Sequence, residues 1–181
     1  MNWTIDGSHS LAEFSVKHMM VTTVKGRFQK ITGNIVWDET NPAASSVDAT
    51  IDATSITTHD EKRDGHLVSG DFFEVEKYPT ITFKSTKVEA KHSDDFKVTG
   101  DLTIHGITKQ VTLEVEYNGS GKNPWGMTVA GFTAKTSINR KDFGLNWNVA
   151  LETGGVLVSD KINVTLEIEA VAAPVEATAN A

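Results

Sequence analysis

Cysteine is absent from the sequence, and proline occurs only four times in 181 residues. Without cysteine there is no disulfide, no thiolate nucleophile and no thiolate ligand for zinc. Long apolar runs are missing too, since none approaches the roughly 20 residues that a membrane-spanning helix needs. Positive charge is in deficit, with 17 Lys+Arg against 24 Asp+Glu and a net charge of -7. A surface of that sign repels phosphate backbones and anionic membranes, which disfavours general nucleic-acid binding. A local basic patch remains compatible with one anionic headgroup. The first residues, Met1-Asn2-Trp3-Thr4-Ile5-Asp6, show no basic region, apolar core or small-residue cleavage site. The expected location is cytoplasmic, or periplasmic for a processed form.

Catalytic signatures are scarce as well. There is no G-x-S-x-G elbow and no glycine-rich phosphate loop. His59, Asp60, Asp64 and His66 lie close in sequence, but not at the spacing of a HExxH or paired Cys/His site. No metal or cofactor is expected.

What the sequence does have is period-2 alternation. Ile162, Val164, Leu166 and Ile168 point one way, and Lys161, Asn163, Thr165 and Glu167 the other. The same pattern runs through Phe96, Val98, Leu102 and Ile104, then Val111, Leu113, Val115 and Tyr117. Weaker copies contain Ile31, Ile35 and Trp37, then Val47, Ala49 and Ile51, then Ile81 and Phe83. One wet face and one buried face per strand is the mark of antiparallel sheet. Turn residues separate the strands at Asn41-Pro42, His105-Gly106, Asn118-Gly119-Ser120-Gly121 and Gly154-Gly155. About eight strands result, and closing them into a barrel removes exposed edges. Such a barrel has room for packed side chains or one small ligand.

Two stretches break the alternation. Thr58-His59-Asp60-Glu61 has the form of a capping box with Thr58 as N-cap, predicting a short helix through Arg63, Asp64 and Leu67 to Ser69, stopped by Gly70. Asn139–Leu145 reads as a turn or a single helical turn. The domain spans 1–170, and 171–181 reads as a flexible tail.

Several short motifs occur in order along the chain. They are His9-Ser10 with Phe14-Ser15-Val16-Lys17-His18-Met19-Met20, then Val24-Lys25-Gly26-Arg27-Phe28, then Arg63-Asp64-x-His66-Leu67 with Asp71-Phe72-Phe73. Tyr78-Pro79-x-Ile81-x-Phe83-x-Ser85-Thr86, Gly100–Gly106 and Asn139-Arg140-x-Asp142-Phe143-Gly144 follow in order. In these motifs the chain resembles the YceI-like family of polyisoprenoid-binding proteins, and the resemblance runs from about residue 3 to 170. It implies an all-β fold: an extended eight-stranded antiparallel β-barrel, lipocalin-like, with one short helix near one end. It also implies non-catalytic binding, transport or storage of a polyisoprenoid or similar long-chain lipid within the barrel tunnel.

Candidate ligand-binding residues follow from that expectation. Phe14, Val16, Met20, Phe72 and Phe73 are expected to line a tunnel, as are Phe83, Phe132, Phe143 and Trp147; all nine also fit an ordinary core. Met19-Met20 suits an adaptable lining. His18 shares the face of Phe14 and Val16, and either bonds a ligand oxygen or is satisfied by a neighbouring carbonyl. Arg63 and Arg140 either grip a phosphate or hold structure, with Arg27 and Lys25 as further phosphate contacts. Two other readings stay open: a hydrolase or isomerase acting through His18 or His66, and an interaction module whose barrel is packed solid. A homodimer also stays open.

Overall fold

A computed structural model of the protein describes residues 1–174. The strands are β1 (Asn2–Ile5), β2 (Leu11–His18), β3 (Thr22–Phe28), β4 (Ile31–Val36), β5 (Ser46–Asp52) and β6 (Ile56–Thr57). After helix α1 (Glu61–Leu67) come β7 (Thr80–His92), β8 (Asp95–Ile104), β9 (Ile107–Lys122), β10 (Thr128–Asn139) and β11 (Lys161–Ala172). All join one sheet in the order β1-β4-β5-β7-β8-β9-β10-β11-β2-β3-β6.

The eleven segments run in eight lanes, which gives the closed eight-strand antiparallel barrel. Both β1 and β2 pair with β11, β2 along Asn163–Glu167 and β1 along Ala170–Ala172. β3 and β4 share the next lane, and β5 and β6 the one after. Closure falls on β1, where Trp3 sits opposite Ala172 on one side and Ile35 on the other. Between β1 and β2 the ladder is kept by Asp6 N–H donating to the Glu169 carbonyl (2.8 Å) and by Glu169 N–H donating to Ser10 Oγ (3.1 Å).

One end of the barrel holds the 93–94 and 123–127 turns and an aromatic cluster. Trp37 meets Phe96 edge-on at 4.9 Å and Phe132 at 5.6 Å, and Trp3 is buried beside them. The other end carries α1, the 68–79 loop and the Arg140–Phe143 3-10 turn. There Phe143, 1% exposed, packs with Ile104 and Leu145.

Three details differ from the sequence reading. The helix starts two residues later, because Asp60 rather than Thr58 caps it, accepting from Arg63 N–H at 3.0 Å. Thr58 is instead buried, its N–H and hydroxyl both donating to Asp64 (2.8 and 2.6 Å). Asn118–Gly121 lies within β9, where Gly119 sits opposite Gly131 at a β-bulge. The turn comes later, where Asn123 Oδ1 accepts from Trp125 and Met127 N–H. Finally, β11 runs through Val171 and Ala172, which pair with β1 and leave only 175–181 of the expected tail outside the described residues.

The Thr58 network generates a prediction. Asp64→Ala strands a buried N–H and hydroxyl and should lower stability by about 1–3 kcal/mol. Asp60→Ala removes only a cap and should cost about 1 kcal/mol. Urea unfolding of both variants checks the order, and an Asp64→Ala loss within the noise of a surface substitution contradicts it.

Candidate functional site

The inward faces of the strands leave two apolar chambers stacked along the barrel. The lower one, at the α1 end, has a cavity volume of about 190 Å³. The upper one, under the aromatic cluster, has about 100 Å³. Ile31, Ala49, Leu113 and Leu166 border both and form a waist between them.

Strand parity builds the lining. Ile162, Val164 and Leu166 of β11 face the lower chamber, and Leu166 and Ile168 the upper. On β7, Ile81 and Phe83 face inward, the pairing with β8 then slips between Ser85 and Lys87, and Val88 takes over the inward position. That irregularity switches the inward parity from odd to even. Two phenylalanines stand against glycines in neighbouring strands, Phe14 over Gly26 and Phe83 over Gly100. A Cβ at either glycine would lie 2.4–2.6 Å from the ring. The two glycines thus make room for the rings that line the lower chamber.

Of the twelve expected residues, Phe14, Val16, Phe72, Phe73, Phe83 and Arg140 line the lower chamber and Phe132 the upper. Five lie elsewhere. Phe143 is carried by the 3-10 turn into the floor cluster. His18 lies one residue pair past the mouth, bridged to Val158. Met20 is 59% exposed in the following turn. Trp147 packs on the outside of Phe72 and meets His66 edge-on at 4.7 Å. Arg63 is exposed on α1 and tied to Thr58 through its Nε (2.8 Å to Oγ1) and Nη2 (2.9 Å to the carbonyl). The sequence reading missed Leu67, Ile138 and Val158 below and Val36 and Ser46 above. β10 parity points to Ile138; Val158 and Leu67 sit in segments without alternation.

Arg140 is 2% exposed and serves as a bracket. Its Nε donates to the Ser159 carbonyl (3.0 Å), Nη1 to the Leu145 and Trp147 carbonyls, and Nη2 to that of Val158 (3.3 Å). Most of its donors are thereby committed to backbone, leaving no free fork for a phosphate. Burial pushes the guanidinium below its ordinary range, partly offset by Asp160 at 3.9 Å. His66 is paired with Asp71 at 2.8 Å. Neither His18 nor His66 borders a chamber.

Outside the chambers, Asp6, His9 and Glu169 form a surface cluster near the β1–β2 junction. Bonds from the Ser8 hydroxyl and then from His9 hold the Asp6 carboxyl down at about 2. Asp6 in turn raises His9 above its ordinary value.

A family model described as the YceI-like domain matches residues 3–170. UPF0312 protein SA2479 of Staphylococcus aureus (strain N315) is 43% identical over 169 residues, covering 93% of this chain and 96% of that one. The crystal structure of the Campylobacter jejuni YceI protein superimposes with a TM-score of 0.73 at 33% identity, covering 87% of this chain and 90% of that one. Burkholderia cenocepacia BcnA shares the fold with a TM-score of 0.78 at 24% identity, over 91% and 98% of the two chains. So does a polyisoprenoid binding domain from Saccharophagus degradans, with a TM-score of 0.66 at 16% identity, over 94% and 98%.

Two predictions follow from the polar groups. Arg140→Leu leaves several buried carbonyls unpaired and should destabilise the protein by about 2–4 kcal/mol in urea unfolding. Unchanged stability would show that the bracket is dispensable. The Asp6 value is depressed from 3.8 to about 2, so its contribution is present above the unfolded value and lost as pH falls toward 2. His9 is raised, so its contribution is present below its ordinary 6.5 and lost as pH rises through the raised value. Asp6→Asn should flatten the acid limb and lower the His9 midpoint seen by NMR; an unmoved midpoint contradicts the pairing.

Proposed function

This chain belongs to the YceI-like family, and from that premise we propose that it binds a long apolar lipid of the polyisoprenoid class inside the barrel without transforming it. The observation that carries the reading is the pair of apolar chambers inside the barrel, which share Ile31, Ala49, Leu113 and Leu166 as lining. Each buried methylene contributes about 0.8 kcal/mol, so about twenty carbons gain near 16 kcal/mol before the cost of ordering. A net affinity in the micromolar to nanomolar range results. The Saccharophagus degradans domain, described as polyisoprenoid binding, supports the ligand class.

Non-catalytic cargo is favoured over chemistry because Glu13 and Arg140 are the titratable residues bordering the lower chamber, and Arg140 is held by carbonyls. The histidines named for hydrolase or isomerase chemistry lie outside the lining. Carriage and storage are both consistent with such a cavity.

Native mass spectrometry of gently purified protein should show an adduct of prenyl-lipid mass, or uptake of one by stripped protein. A chain that neither carries nor takes up such a lipid contradicts the proposal. The waist makes a finer prediction. Ala49→Phe should weaken a long polyprenyl chain by about tenfold or more, since several methylenes lose their burial. It should leave a short prenyl chain, housed in one chamber, nearly unaffected. Equal weakening of both would show that the chambers do not act in series.

A further inference from the structure

The β2–β3 turn carries an arrangement that the chambers do not explain. Met19 and Met20 both have positive φ, 51° and 64°, and Val21 N–H donates to the His18 carbonyl at 3.2 Å. That is a type I′ turn, whose two central positions favour Asn-Gly and are strained for a side chain such as methionine. Despite that strain, the turn holds its apolar side chains in solvent: Met19 is 46% exposed, Met20 59% and Val21 76%. Beside it, a small flap closed by the Ala150–Val156 bridge adds Val149, 47% exposed, and Gly155 lies against Met20. The patch sits at the lower mouth, since Val16 and Val158, which line the chamber, are the neighbours of His18 and Leu157 beneath it.

Charge at this tip runs against that of the whole protein. From Phe14 to Trp37 the sequence contains Lys17, Lys25, Arg27 and Lys30 and not one Asp or Glu. Lys17 and Lys25 are exposed on the two strands that lead to the tip, opposite Thr23 and Ser15, whereas Arg27 lies opposite Glu13. The flap contributes a single carboxylate, Glu152. An apolar tip flanked by lysines is complementary to an anionic lipid surface, and the carboxylates of α1 and the 68–79 loop at the same end, Asp60, Glu61, Asp71, Glu74 and Glu76, hold that side of the mouth back so that the tip leads.

We propose that the Met19–Val21 tip docks on anionic bilayers and seats the lower mouth against the membrane. Its purpose rests on the lipid-binding reading above; its observations do not.

Flotation of the full chain with phosphatidylcholine vesicles, with and without phosphatidylglycerol, is the test. Binding should require the anionic lipid and weaken at high salt. Lys17→Gln and Lys25→Gln should each weaken it by about fivefold. Met19→Asn with Met20→Gly installs the favoured turn pair, so thermal stability should hold or rise while vesicle binding falls about tenfold. Trp125→Ser, which removes the 79% exposed tryptophan at the opposite end, should leave binding unchanged. Wild-type protein that ignores anionic vesicles, or an Asn-Gly variant that binds them equally well, overturns the proposal. So does a tip variant whose only change is from dimer to monomer on gel filtration, which would make the tip a self-association surface. Flotation without any prenyl-lipid adduct would overturn the lipid-carrying reading and leave the docking standing; an adduct without flotation would do the reverse.

Discussion

The structure depends on closure of the antiparallel ladder at β1. An apolar bore is tolerable only if the wall around it leaves no backbone group unpaired, because an orphan donor next to hydrocarbon costs several kcal/mol. β1 meets that demand by pairing β4 on one side and β11 on the other. Its short length forces β11 to change partners midway, and Ser10 and Asp6 carry the ladder across the change. The same closure removes the edges of β1 and β11, while β3, which meets β6 only at Arg27 and Phe28, keeps a short edge along Thr22–Gly26.

Once the wall is closed, keeping the middle empty is a cost of its own. At about 24 cal/mol per Å³, a cavity of about 190 Å³ forgoes about 4–5 kcal/mol of packing. That is a large share of the 5–15 kcal/mol typical of a folded domain. Larger side chains at the waist would recover much of it, yet position 49 is alanine. The aromatic cluster shows that this chain can fill a barrel end where it needs to. Openness elsewhere is therefore a feature of the design of the bore, and an apolar chain threading both chambers would restore the missing contacts.

Much of the architecture was legible because period 2 maps directly onto inside and outside. Ile162, Val164, Leu166 and Ile168 read as one face and all four border a chamber. The reading failed where something other than alternation decided the outcome. Asn118–Gly121 looked like a turn, but its glycines sit opposite Gly131 at a bulge, and glycine supports a bulge as readily as a turn. Thr58 fitted the capping pattern, yet burial against Asp64 took its hydroxyl and left the cap to Asp60. Met20 and His18 continued the parity of Phe14 and Val16, but the strand outruns the chamber before reaching them. Arg140 could be read as a phosphate grip because nothing local reveals carbonyls from Leu145 to Ser159 converging on it. Residues whose partners lie along one strand are readable; those whose partners come from distant loops are not.

The most direct test of the central claim is electron density from protein crystallised after purification without detergent. Tubular density running from the Arg140 end through the waist of Ile31, Ala49, Leu113 and Leu166 to the underside of Trp37 is the expected result. Chambers collapsed onto their own side chains, or occupied by separate ordered waters, would contradict it.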